Sequence, residues 1–202
     1  MKNTNTKTLT RVALLVAIEV VMKLVGLGSV PVGPLYMSFL TLPIAVGAIT
    51  MGPAAGALLG ALFGATSFMQ ALQGKSVMGG ALFAASPAGY FVVSVIGRVL
   101  MGLCVGLIFA ALQKALPKKE KLTCYIAAFC APFLNTVFYM GLLVAIFYNS
   151  EFVQNLAAKK GATNPLMFIV LVVGIQAVVE WCVCCAVAGT VSLPVRKYMK
   201  NH

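Results

Sequence analysis

Between Pro165 and Leu193 the chain carries one charged residue, Glu180, and between Ala88 and Leu116 only Arg98 and Lys114. A helix needs about 20 mainly apolar residues to cross the ~30 Å hydrocarbon core of a bilayer. Inside lipid no water satisfies backbone N–H and C=O groups, so a run of this kind must bond them within itself, as a helix does. Several such runs follow one another, and only 9% of the residues are charged, against roughly 25% in soluble domains. The 202 residues then leave no room for a soluble catalytic domain. The expected fold is all-α: a polytopic membrane protein, a six-helix transmembrane bundle forming one domain over residues 1–202.

Residues 1–8 read as a polar, basic tail. Helix 1 is expected over Leu9–Leu27, retained and not cleaved as a signal peptide. Gly28–Tyr36 contains Pro31, Gly33 and Pro34 and reads as a structured loop, because proline lacks an N–H and clashes with the preceding turn. Helix 2 is expected over Met37–Thr50, tilted or kinked at Pro43. A tight turn at Met51–Pro53 leads into helix 3, which ends near Leu72. Gln73–Pro87, with Lys75 and the pair Gly79–Gly80, reads as an irregular stretch folded back on the bundle. Helix 4 is expected over Ala88–Leu116, Pro117–Lys121 as a charged turn, and helix 5 over Leu122–Tyr148. A polar loop, Asn149–Asn164, precedes helix 6, Pro165–Leu193, which Pro194 should stop.

The net charge of +11 would suggest nucleic acid in a soluble chain, but its placement argues otherwise. Lys2, Lys7 and Arg11, then Lys114, Lys118, Lys119 and Lys121, then Arg196, Lys197 and Lys200 fall in the two tails and one central loop. With six helices these share one side, whereas the other carries only Lys75, Lys159 and Lys160. Cytoplasmic loops hold the excess of Lys and Arg, so both termini are expected inside, with the cations near anionic lipid. No aromatic residues interleave with them to stack on bases, and no nucleic-acid partner is expected.

Other chemistry is missing from the sequence. The six cysteines lie in or beside apolar runs and read as small packing residues. The sole histidine is His202, which leaves neither a metal pattern nor a Ser/His/Asp set. No Gly-rich run ends in Gly-Lys-Ser/Thr to cradle a nucleotide phosphate. An enzyme is not expected, nor a cofactor.

Function in a membrane bundle is best sought where an ionisable group is buried against its preference. Glu19 and Lys23 stand four apart on helix 1 and can neutralise each other or meet a ligand. Arg98 lies about eleven residues into helix 4, roughly 16 Å deep, where its guanidinium stays charged. Asn135 on helix 5, and Gln176 and Glu180 on one face of helix 6, fall at similar depth. Two readings stand: an Arg98–Glu180 ion pair fixing the helices, or a polar site for a small hydrophilic molecule. Tyr90, Phe138, Tyr139 and Trp181 flank the region and could wall it.

Glycines at 52, 56, 60 and 64 form one flat face of helix 3, suited to close helix packing. These segments together resemble the substrate-binding S components of energy-coupling-factor vitamin transporters. The resemblance rests on Ala13-Leu14-Leu15-Val16-Ala17, Gly33-Pro34, Met51-Gly52-Pro53-Ala54-Ala55-Gly56-Ala57-Leu58-Leu59-Gly60, Arg98, and Pro132-Phe133-Leu134-Asn135-Thr136. It covers nearly the whole chain. It implies a vitamin bound near the outer side among helices 4 to 6, with Arg98, Asn135, Gln176, Glu180, Tyr90, Tyr139 and Trp181 as candidate contacts. Pro31, Gly33, Pro34, Lys75, Gly79 and Gly80 would belong to gating loops. Ala13 and Ala17, with Gly52, Gly56 and Gly60, would dock on a transmembrane coupling subunit served by two cytoplasmic ATPases, in a bacterial plasma membrane. Among substrates pantothenate fits best, its carboxylate facing Arg98. Riboflavin, pyridoxine, folate and hydroxymethylpyrimidine stay open, as does a membrane scaffold in which the charges only pair helices.

Overall fold

The structure, a computed structural model, describes residues 2–201 apart from Leu27, Ser29, Gly33 and Pro34. Helix α1 (Lys2–Leu24) is followed by a small hairpin, β1 (Val30–Val32) and β2 (Leu35–Met37), and then α2 (Thr41–Met51) and α3 (Pro53–Leu72). Next come a short α4 (Val77–Ala85), α5 (Pro87–Phe91), a π turn (Val92–Ile96) and α6 (Gly97–Ala115). The last three form one continuous rod, Pro87–Ala115. Helix α7 (Glu120–Phe147), a short α8 (Glu151–Lys160) and α9 (Pro165–Asn201) complete the chain. Four of these, α3, the Pro87–Ala115 rod, α7 and α9, are long and apolar enough to cross a membrane. The protein is therefore an all-α, multi-span membrane bundle carrying one three-residue-per-strand hairpin.

The short α2 is the axis of the bundle. Its 11 residues rise only about 17 Å, yet Ile44, Ala45, Ala48 and Ile49 are almost wholly buried. Helices α1, α3, α6, α7 and α9 all pack against it. Pro43 does not kink it: the residue stands in the first helical turn, where the missing N–H has no intrahelical acceptor to lose. Gly52 adopts φ 94° between α2 and α3, a backbone state that only glycine enters without strain. Pro53 then opens α3 with its φ already helical.

The glycine stripe is used inside the chain, which corrects the expectation that it meets a partner. A Cβ at Gly56 would strike the carbonyl of Gly102, and one at Gly60 the carbonyl of Arg98. Gly102 and Gly106 answer from the other side, against Gly56 and Pro53. Backbones in contact maximise dispersion where lipid offers no hydrophobic gain. Gly56 and Gly60 are therefore covered by α6, and Gly52 makes the corner and no part of the contact.

Several boundaries differ from expectation. Residues 1–8 read as a tail, but α1 begins at Lys2. Gly79 and Gly80 lie not in a loop but in α4, which Ser76 caps by accepting the Gly79 N–H at 3.0 Å. The polar stretch 149–164 contains α8, marked by Glu151 in its first turn, Lys159 and Lys160 in its last and Gly161 in the left-handed region after it. Each of these is a favourable end signal. Pro194 does not stop α9. Two residues on, Arg196 donates to Glu120 at 2.8 Å and to the Ile49 carbonyl at 2.9 Å, and covers the Phe109 ring at 4.5 Å. Those contacts hold the last turns as helix, and neighbouring groups compensate a proline's lost bond in such bundles.

Candidate functional site

The close α3–α6 contact positions the site. Because Gly60 lets the Arg98 backbone approach, Phe63, one turn further on, comes under the Arg98 guanidinium at 4.1 Å. The Tyr139 ring of α7 lies on the same guanidinium at 4.8 Å, so the cation is held between two aromatic faces. Its Nη1 donates to the Ser94 carbonyl at 2.7 Å, within the π turn, a helix irregularity often found at functional sites. Arg98 is buried, and its Nε has no hydrogen-bond partner among the described residues.

Around this cation lies a partly open cavity of about 90 Å³, room for roughly half a dozen waters. Six of the seven candidate contacts meet there: Arg98, Tyr90, Asn135, Tyr139, Gln176 and Glu180 all line it. They come from three separate stretches of chain, the Pro87–Ala115 rod, α7 and α9, so the juxtaposition is tertiary. Two buried acceptors, Asn135 Oδ1 and Gln176 Oε1, have no donor among the described residues. A buried acceptor left unmade costs about 1–3 kcal/mol, and here a ligand's N–H or O–H groups can answer it.

Trp181 is the exception. It stacks edge-on against Phe129 and Phe133, at 5.7 and 5.5 Å, on the outer side of α7 and α9. A residue next to Glu180 points about 100° away around the helix, so it cannot share the Gln176/Glu180 face. Phe138 likewise packs in the apolar core, beside Gly97.

Of the two readings open for Arg98 and Glu180, the ion pair is not formed among the described residues. Glu180 Oε1 instead accepts the Ser38 backbone N–H at 2.8 Å and the Gln176 side-chain amide at 3.3 Å. Ser38 follows β2 directly, and its hydroxyl donates to the Gly28 carbonyl at 3.0 Å, closing the base of the hairpin segment. Ser38 and Gly28 both line the cavity. The hairpin, paired Val30 to Met37 and Pro31 to Tyr36, is therefore tied at its foot, Ser38, to an acid of α9. Pro31 lies in β1, while Gly33 and Pro34 fall outside the described residues.

Glu19 and Lys23 are close enough to attract each other electrostatically, but no hydrogen bond joins them. Lys23 donates to Gln70 Oε1 at 2.7 Å, whereas both carboxylate oxygens of the buried Glu19 have no hydrogen-bond partner among the described residues. Gln70 itself lines the cavity, as do Phe63 and Ser67. Sequence reasoning missed this α3 contribution, although Phe63, Ser67 and Gln70 stand at i, i+4 and i+7 on one face. Across the mouth, the capping Ser76 and Met78 of α4 line the wall, and Gly79 packs against the Tyr90 hydroxyl. Lys75 is exposed at the α3–α4 turn, and Gly80 faces open space.

No curated protein matches the chain. A family model described as the ECF transporter substrate-specific component matches residues 7–192. Matched over most of its length and folded as a multi-span helical bundle, the chain belongs to the ECF transporter substrate-specific component family, the non-catalytic binding subunits of vitamin-uptake transporters.

Proposed function

We propose that the cavity binds pantothenate, and that the protein is its capture subunit in a bacterial plasma membrane. One observation carries this reading: among the described residues, a buried Arg98 without an ion-paired acid shares a cavity with two orphaned acceptors, Asn135 Oδ1 and Gln176 Oε1. A ligand completing that set needs a carboxylate for the guanidinium and at least two donors. Pantothenate has a carboxylate, two hydroxyls and an amide. Pyridoxine has no carboxylate for Arg98.

The cavity lies toward one end of the bundle, near Ser38, Gln70 and Tyr90. Lys118, Lys121 and Lys197 gather at the other end, where α7 begins and α9 finishes. If α1 and α2 cross with the four long helices, six spans place both termini with those lysines in the cytoplasm. The cavity then faces outward. The hairpin and α4 act as its covers, since a space of this size is below the roughly 300 Å³ of typical ligand pockets. Ala13 and Ala17 are exposed on α1 and serve as the docking face for the coupling subunit.

The test is binding of radiolabelled pantothenate to the purified chain. Arg98→Ala should weaken it by about 100-fold or more, since breaking one side of a buried charge pair costs roughly 3–5 kcal/mol. Unchanged affinity, or preference for pyridoxine over pantothenate, would remove the reading.

A further inference from the structure

At the end of the bundle away from the cavity, Lys118, Lys119, Lys121 and Lys197 line one open groove of about 680 Å³. All four side chains are exposed. The acid in the groove, Glu120, is paired with Arg196 at 2.8 Å, a guanidinium that matches its charge, so the four lysines leave the groove cationic. Like charges gathered along one groove repel one another, and a bound anion relieves that repulsion.

We propose that this groove binds the phosphate of an anionic phospholipid headgroup. Its wall is what separates a lipid from a soluble anion. Leu122, 47% exposed, and Leu193 lie beside the lysines, and an acyl chain can cover them while phosphate meets the ammonium groups. The position agrees. The groove sits where α7 begins and α9 ends, two helices apolar enough to cross a membrane, so it lies at the headgroup level. Basic pockets between membrane helices hold anionic headgroups in this way. The lysines thus do more than orient the chain: they hold a lipid at the α7–α9 seam.

Native mass spectrometry of the full chain, from micelles with equal phosphatidylglycerol and phosphatidylcholine, tests it. Phosphatidylglycerol adducts should exceed phosphatidylcholine adducts by about tenfold, each nearby cation adding to the attraction. The quadruple variant K118Q/K119Q/K121Q/K197Q should lose that preference, and circular dichroism should report the same helix content. Glycerol 3-phosphate, which has the anion without the chains, should fail to displace the lipid at millimolar concentration. Equal adducts for both lipids, or a preference kept by the variant, would overturn the proposal. Ready displacement by glycerol 3-phosphate would make it a soluble-anion site and also overturn it. If the variant keeps its lipid but no longer assembles with the coupling subunit and ATPases, the groove is a protein contact and the proposal falls.

Discussion

Replacing Glu180 by alanine removes the acceptor that ties Ser38, at the foot of the hairpin, to α9. The bond is short, 2.8 Å, and its acceptor is ionisable. Hydrogen bonds to charged groups contribute about 1.5–3 kcal/mol net, and neutral ones about 0.5–1.5 kcal/mol. Glu180→Gln keeps an acceptor and loses the charge, a difference of about 1 kcal/mol. Glu180→Ala leaves the Ser38 N–H buried without a partner and loses about 2 kcal/mol. If the hairpin must lift before ligand leaves, those losses appear in the dissociation rate. At tenfold per 1.4 kcal/mol, release should quicken about fivefold in the glutamine variant and about thirtyfold in the alanine variant. Chase of bound radiolabelled pantothenate with excess unlabelled ligand measures both. Glu180 also lines the cavity, so a direct ligand contact must be told apart from a latch. Ser38→Pro compared with Ser38→Ala does this: both lose the hydroxyl that donates to the Gly28 carbonyl, but only proline lacks the N–H that Glu180 accepts. A latch predicts release about thirtyfold faster in Ser38→Pro than in Ser38→Ala. Rates within twofold of each other in those two variants would refute the latch, whatever Glu180→Ala does.

Three further outcomes follow from the packing. Gly60→Ala should lower the thermal midpoint, with overpacking against the Arg98 carbonyl costing about 1–3 kcal/mol. Gly80→Ala, which meets nothing within 4 Å, should leave the midpoint unchanged or raise it by helix propensity, and a differential scan compares the two. Ala13→Leu and Ala17→Leu should bind pantothenate normally yet block uptake into proteoliposomes containing the coupling subunit and ATPases. Normal uptake would place the docking surface elsewhere.

The α4 and α8 segments mark where sequence reading went wrong. Both are short and flanked by polar residues, so hydropathy alone marks them as loops. Their end signals were nonetheless present: Ser76 three residues before Gly79, and Ser150 and Glu151 before Lys159, Lys160 and Gly161. Pro194 misled in the opposite direction. A proline stops an isolated helix, whereas here Arg196 is anchored from three other helices and carries α9 past it.

Sequence alone determined the solvent: long runs nearly free of charge have to be helices in lipid, and a buried arginine must meet polar company. It also marked the glycine stripe, because four-residue spacing is a property of one helix. What that stripe touches was decided only in three dimensions, since the rod carrying Arg98 packs against it and leaves no stripe for a partner. The fate of Glu180 was decided there as well. Both carboxylate and guanidinium were visible in the chain, but whether they meet depends on where the hairpin between α1 and α2 comes to rest. Ser38 arrives there first, through a backbone N–H that every non-proline residue carries and that no sequence pattern advertises.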